Sequence, residues 1–170
     1  MQGTGPAASP QPLATVNAKF VNVADKANIL SNAVCGEEYL TDDIFTAQPF
    51  TAFMEAEFDG KAEITAQFAK PIKLKAIMVY NAYSYGFAFK SVDKIIITDK
   101  TGEQFVLDDI LCNPDNVNEE QKFMRQGGAA IAVLKNIVEA VKIEVFVSKK
   151  YCGDNSKIRI SDLKILAEKC

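Results

Sequence analysis

The stretch Lys157-Ile158-Arg159-Ile160-Ser161-Asp162-Leu163-Lys164-Ile165-Leu166 carries the pattern that decides the fold. Its first two isoleucines alternate with polar residues, as in a β-strand with one buried face. Leu163 and Ile165 alternate in the opposite phase, so one face stays buried only if a bulge or break lies near Ser161-Asp162. Similar short runs recur along the chain with turn residues between them and almost no helical periodicity. This pattern predicts an all-β fold, an antiparallel β-sandwich of the jelly-roll type.

Other segments extend the prediction. The segment 72–80 becomes apolar on both faces, which is typical of a central strand, and Pro71 is expected to end the strand before it. The sequence Asp99-Lys100-Thr101-Gly102 predicts a hairpin turn. Beside the C-terminal stretch, strands are predicted at residues 20–23, 63–68, 72–80, 92–98, 104–107, 130–134 and 141–147.

Composition limits the possible functions. The chain has 170 residues, of which 48% are hydrophobic, and a net charge of −3 that argues against nucleic acid as a partner. No apolar run is long enough to span a membrane. Histidine is absent, so a Ser-His-Asp or Cys-His catalytic site is impossible within this chain. Tryptophan is absent too, which leaves tyrosine and phenylalanine for stacking on ligands.

The domain organisation is predicted as one sandwich over residues 18–168. Residues 1–17 are rich in Gly, Pro, Ala, Ser and Gln and lack the features of a signal peptide, so we expect a disordered linker or residues added for expression. The domain is then expected to be a module of a longer protein. Cys35, Cys112, Cys152 and Cys170 form no C-x-x-C pair, and either free, partly buried thiols or a disulfide in an exported domain fits them.

Four stretches follow the motif spacing of a known family. Residues 32–53 match its opening motif, with Asp43 in place of glycine and Phe53 in place of tryptophan. Residues 62–79 match its strand-proline-strand segment, and residues 91–105 its hairpin. Residues 141–145 with 160–165 match its closing pair, with Asp162 in place of glutamate. The chain thus resembles the galactose-binding-like sandwich of discoidin (coagulation factor 5/8 C-type) domains and many bacterial carbohydrate-binding modules.

The resemblance implies that ligands bind to loops at one end of the sandwich. The loop after residue 79 is rich in aromatic side chains, which can stack on the C–H face of a sugar while amide and guanidinium groups bind hydroxyls. In the alternative interpretation, Tyr80, Phe87 and Phe89 belong to the core, and the arginines form surface salt bridges. The candidate ligand-binding residues are Asn81, Tyr83, Tyr85, Phe87, Arg125 and Arg159.

The resemblance also implies a structural calcium site, with Asp42, Asp43 and Asp162 as candidate ligands, since calcium prefers oxygen donors. Adjacent acidic residues such as Asp108-Asp109 point to opposite faces of a strand, so they are poorly placed for glycosidase chemistry. We therefore expect no enzymatic activity.

These observations predict a non-catalytic carbohydrate-binding module of an exported multidomain protein, secreted or at the cell surface. Its expected partners are a glycan or glycoprotein and the other domains of its parent protein. The alternative is a protein-interaction or cell-adhesion domain on the same fold. A narrow cleft with aromatic walls would favour sugar, and a flat apolar patch would favour protein.

Overall fold

The computed structural model describes residues 19–42, 54–56, 61–82, 87–110, 128–150 and 157–169. These residues form ten strands and two short 3₁₀ helices, Ala24–Lys26 and Glu37–Thr41. The strands are β1 (Phe20–Asn22), β2 (Asn28–Ser31), β3 (Ala33–Cys35), β4 (Met54–Ala56), β5 (Ala62–Asn81), β6 (Phe89–Asp99), β7 (Gln104–Ile110), β8 (Ala129–Val147), β9 (Lys149–Lys150) and β10 (Ile158–Glu168).

The strands form the two layers of an antiparallel β-sandwich, which confirms the predicted fold class. In one layer, the first part of β5 lies between β2 and the end of β8, and β6 and β7 continue the sheet. In the other layer, the last part of β5 lies between the start of β8 and β10, and β4 and β3 follow. The long strands β5 and β8 therefore belong to both layers. No helix among the described residues is long and apolar enough to cross a bilayer.

The prediction that Pro71 ends a strand is wrong. β5 continues through it from Ala62 to Asn81. Its pairing with β8 is interrupted between Gln67 and Ile72, so Pro71 lies where no ladder hydrogen bond to β8 is required of it. The two predicted segments are one strand that passes from the first layer to the second.

The phase change in the C-terminal stretch corresponds to the predicted bulge. β10 pairs with β5 from Ile160 and again from Asp162, with a register shift between the two. Because of this shift, Ile158 and Ile160 before it and Leu163 and Ile165 after it are all buried. The strand thereby keeps these four side chains in the core on both sides of the bulge.

The core lies between the two layers. Most of its largest side chains are isoleucine, as expected for residues packed on a pleated surface. The largest fully buried side chains are Phe89, Leu40, Met54, Ile64, Leu74, Ile77, Ile95, Ile97, Ile143, Ile158 and Ile160.

The hairpin between β6 and β7 turns at the predicted residues. Asp99 Oδ1 accepts hydrogen bonds from the Thr101 hydroxyl at 2.6 Å, the Thr101 N–H at 2.8 Å and the Glu103 N–H at 3.0 Å. The Thr101 hydroxyl, followed by these backbone donors, lowers the pKa of the Asp99 carboxyl. Gly102 has a φ of 92°, a conformation that favours glycine.

Candidate functional site

One end of the sandwich brings together the end of β5, the start of β6 and the start of β10. The Arg159 N–H donates to the Phe87 carbonyl at 3.3 Å, and the Ala82 N–H donates to the Arg159 carbonyl at 3.5 Å. The aromatic loop thus leaves β5 and returns to β6 beside the first residues of β10. We call this region, defined by Glu55, Asn81, Phe87 and Arg159, the loop end.

The Asn81 side chain forms hydrogen bonds that join the two ends of the aromatic loop. Its Oδ1 accepts from the Phe89 N–H at 2.9 Å, and its Nδ2 donates to the Phe89 carbonyl at 3.0 Å. Its backbone N–H donates to the Gly128 carbonyl at 2.9 Å, and its carbonyl accepts from the Ser161 hydroxyl at 3.0 Å. The side chain is fully buried. The expectation that its amide faces a ligand is therefore corrected, because both amide atoms bind the backbone of β6.

Arg159 and Phe87 are in direct contact. The guanidinium carbon of Arg159 lies 3.8 Å from the centre of the half-buried Phe87 ring, which is the geometry of a cation–π contact. Arg159 Nε donates to Glu55 Oε2 at 2.7 Å, and Lys157 Nζ lies 3.4 Å from Glu55 Oε1. The arginine is therefore held in one orientation by a ring on one side and a carboxylate on another.

The ion pair of Arg159 and Glu55 is largely shielded from solvent, with side chains 14% and 11% exposed. Burial on its own would raise the pKa of the Glu55 carboxyl. The hydrogen bond and charge of Arg159, together with Lys157, outweigh burial and hold this pKa below its usual value. Glu55 is consequently a carboxylate at neutral pH, and Arg159 is in a more protected pair than the expected surface salt bridge.

The remaining aromatic candidates separate into three groups. Phe89 is fully buried in the core, as the alternative interpretation of the loop predicted. Tyr80 is half-buried and donates its hydroxyl to Met78 Sδ at 3.5 Å. Tyr83 and Tyr85, together with the candidate Arg125, lie outside the described residues.

Sequence reasoning missed Glu55 and Lys157. Glu55 reaches Arg159 because β4 pairs with β10 in the register that places the two residues opposite each other. They are 104 positions apart in the chain. In the sequence, Glu55 is only a charged residue within the short run Met54–Ala56. Nothing in that run indicates that Glu55 pairs with Arg159.

Two of the three calcium candidates are described. Asp162 is fully buried at the bulge of β10. Asp42 is half-buried and directly follows the 3₁₀ helix Glu37–Thr41, which packs against β10. Asp43 lies outside the described residues. Within the described part of the chain, no three Asp, Glu, Cys or His side chains cluster closely enough to hold a metal ion.

The one cysteine that the structure describes is Cys35. It is a free thiol, as one of the two alternatives predicted, and is exposed at the end of β3. Cys112, Cys152 and Cys170 lie outside the described residues, so their pairing stays a prediction.

The chain resembles solved structures of one fold, although no protein-family model and no curated protein sequence matches it. A fucose-binding module of Streptococcus pneumoniae, SpX-3, superposes with a TM-score of 0.63 at 12% identity, over 88% of this chain and 99% of that one. The family 32 carbohydrate-binding module of Clostridium perfringens NanJ, in complex with galactose, gives a TM-score of 0.55 at 10% identity, over 86% and 98%.

A third structure is the F5/8 type C domain of a Bacteroides fragilis protein. It gives a TM-score of 0.57 at 9% identity, covering 89% of this chain and 99% of that one. Structures at such low identity show the fold. The chain therefore has the galactose-binding-like β-sandwich fold, which confirms the resemblance found in the sequence.

Proposed function

We propose that this domain is a non-catalytic glycan-binding module that binds its ligand at the loop end. The observation that carries the proposal is the contact between Arg159 and Phe87, fixed by Glu55 at the base of the aromatic loop. A phenyl ring offers an apolar face to sugar C–H groups, and a guanidinium donates charge-assisted hydrogen bonds to hydroxyls. Glycan recognition needs both kinds of group close together.

The loop is anchored on both sides. Asn81 ties its start to Phe89, and the Arg159 N–H holds the Phe87 carbonyl before β6 begins. Anchoring of this kind reduces the entropy that a loop loses when it binds a ligand. In the proposed site, Tyr83 and Tyr85 extend the stacking surface, while Asn81 positions the loop.

The structural relatives support the same class of ligand. The pneumococcal module is named for binding fucose, and the NanJ module was solved with galactose. Both superpose over more than four-fifths of this chain. We propose that this chain binds the same class of ligand, a glycan. Which sugar it binds is a question for experiment.

Two features support a role without catalysis. The chain contains no histidine, and the carboxyl of Glu55 at the loop end has a lowered pKa and two cationic partners. A general acid in glycoside hydrolysis requires a carboxyl whose pKa is raised. Glu55 is therefore suited to holding Arg159 and unsuited to donating a proton to a glycosidic oxygen.

We further propose that the domain works within an exported multidomain protein, secreted or at the cell surface. There it would keep the other domains of that protein near glycans through weak, multivalent contacts. The Gly, Pro, Ala and Ser content of residues 1–17 is typical of a segment between domains and supports this arrangement.

We also propose a structural calcium ion near the bulge of β10. Asp162 is buried there, and Asp42 follows the 3₁₀ helix that packs on the same strand. Carboxylate oxygens from these residues and from Asp43, completed by backbone carbonyls, provide the donors that calcium prefers. The ion would fix the segment after the 3₁₀ helix to β10 and would take no part in binding chemistry.

A protein-binding role remains the second candidate, and one feature favours it. On the outer face of β8, Ile131 is 43% and Val133 is 65% exposed. They lie opposite Met78 and Ala76 of β5, so apolar residues of two neighbouring strands meet here. Exposed apolar residues that meet in this way are common at protein interfaces.

A glycan array with calcium present separates the two functions. The domain is expected to bind one related set of glycans. Tyr83→Ala and Tyr85→Ala should each weaken that binding by about tenfold, since a stacked aromatic contributes roughly 0.5–1.5 kcal/mol beyond its buried area. The melting temperature should change little.

Phe105→Ala is the matched control, because Phe105 is an exposed aromatic beside the hairpin turn at the other end of β6 and β7. It should leave binding unchanged. Unchanged affinity in both tyrosine variants would exclude the loop as the site. A blank array would instead favour the protein-binding role, to be pursued with Val133→Glu.

A further inference from the structure

A cavity of about 310 Å³ lies away from the loop end, where β10 finishes. It is bounded by the first 3₁₀ helix, the middle of β5 and the last residues of β10. β10 runs from Arg159 at the loop end to Ala167 at the cavity. Eight residues of extended strand place the two sites roughly 25 Å apart.

The floor of this cavity is apolar. Val23, Phe68 and Ala167 line it and belong to the hydrophobic core. Pro71 and Ile72 line it as well, where the pairing of β5 with β8 is interrupted. The floor of the cavity therefore offers no hydrogen-bond partners to the hydroxyl groups of a sugar.

The rim of the cavity is positively charged. Lys26, Lys70 and Lys73 are exposed there, against the single carboxylate of Glu168. In the part of the chain that the structure describes, these three ammonium groups form no ion pair with any carboxylate. Three cations against one anion give the rim a positive balance, although the whole chain carries a net charge of −3.

We propose that this cavity binds a small amphiphilic anion, with its alkyl or aryl body on the apolar floor and its carboxylate at the lysine rim. The volume lies at the small end of the range of roughly 300–1,000 Å³ for ligand pockets. It suits one medium-chain carboxylate. Burial of the chain supplies most of the affinity, and the lysines select the sign of the head group.

The test uses the full chain and 1-anilinonaphthalene-8-sulfonate, a fluorescent anion with an apolar body. Its fluorescence is expected to rise on binding and to fall when decanoate displaces it. Octanoate, two methylenes shorter, should bind about tenfold more weakly than decanoate, since each buried methylene changes affinity about three- to fourfold. Decyltrimethylammonium has a similar chain and the opposite charge, and it should not compete.

Three variants locate the site. Lys70→Glu combined with Lys73→Glu should weaken decanoate by about tenfold, and Ala69→Phe should weaken it by filling the cavity that Ala69 lines. The matched control combines Lys61→Glu with Lys90→Glu, which makes the same charge change at exposed lysines that do not line the cavity.

The proposal is overturned if the full chain does not bind the fluorescent anion, or if decanoate and decyltrimethylammonium compete equally. It is also overturned if the Lys70/Lys73 variant and the control lose the same affinity. Glycan binding is measured separately, so either proposal can fail while the other stands.

Discussion

At the scale of single residues, the loop end depends on the partners of Arg159. The Phe87 ring and the Glu55 carboxylate contact its side chain, and its backbone binds the Phe87 carbonyl and the Ala82 N–H. A side chain with this much support keeps one rotamer, so little entropy is lost when it donates to a ligand. Glu55 is the partner whose removal tests this view most simply.

Replacing Glu55 by glutamine should destabilise the fold by about 2 kcal/mol at pH 7, because a largely buried guanidinium loses its carboxylate. The pKa of Glu55 is lower in the folded protein than its ordinary value of about 4.5. The Glu55 carboxylate therefore makes its full contribution to the free energy of unfolding above that value. This contribution is lost as the pH falls through the pKa of Glu55 in the folded protein. Urea unfolding of both proteins between pH 7 and pH 3 measures this difference.

The stability gap between wild type and Glu55→Gln should narrow as the pH falls below about 4.5. Glu38→Gln is the control, because Glu38 is an exposed glutamate in the second 3₁₀ helix, and it should have almost no effect at any pH. A gap that stays constant across the range would show that the Glu55 carboxylate does not stabilise the fold through its charge.

At the scale of elements, local patterns predicted the strands that obey simple alternation. The phase change between Ile160 and Leu163 predicted the bulge in β10, because residues on one strand can share a face again only after an extra residue. Asp99 to Gly102 predicted the hairpin for a similar local reason, since the turn is built from its own side chain and a residue with positive φ.

The lengths of β5 and β8 could not be predicted in the same way. A proline usually ends a strand. Pro71 does not, because it lies where β5 passes from one layer to the other and where no hydrogen bond to β8 is formed. In β8, the exposed polar residues Lys135 and Asn136 are typical of a connection, here between the predicted strands 130–134 and 141–147. Both strands continue because the two halves of each pack in different layers, which no local window of sequence reveals.

Calcium can be tested at the bulge of β10. If the proposed ion is present, a chelator should lower the melting temperature by several degrees, because a ligand bound only to the folded state stabilises it by mass action. Asp162→Asn should reduce this response, and Asp25→Asn, an exposed aspartate in the first 3₁₀ helix, should retain it. Identical melting curves in chelator and in excess calcium would argue against the ion.

At the scale of the whole molecule, the sandwich carries two chemically different regions on one rigid scaffold. The loop end combines aromatic, cationic and anionic side chains, whereas the cavity beside Glu168 combines an apolar floor with a lysine rim. The strands between them are packed around one core. We expect the two regions to act independently, since additivity holds for distant sites.

The sequence predicted the fold better than the site. Alternation along each strand is a local property, and it was sufficient for the sandwich. The resemblance to the galactose-binding-like fold rested instead on four motif stretches. Phe87 and Arg159 were both identified as candidates, and the structure places them in contact. The burial of Asn81 and the role of Glu55 depend on pairings between distant strands, so neither could be predicted from local sequence.

The central claim, a glycan site at the loop end, is tested most directly by NMR titration of the labelled full chain with fucose and with galactose. We predict concentration-dependent shifts of the backbone amides of Phe87, Phe89 and Arg159, with the amides of Ile131 and Val133 unaffected. Shifts centred on Ile131 and Val133 would contradict a glycan site at the loop end. An absence of shifts, both with millimolar sugar and with the glycans that an array selects, would contradict it as well.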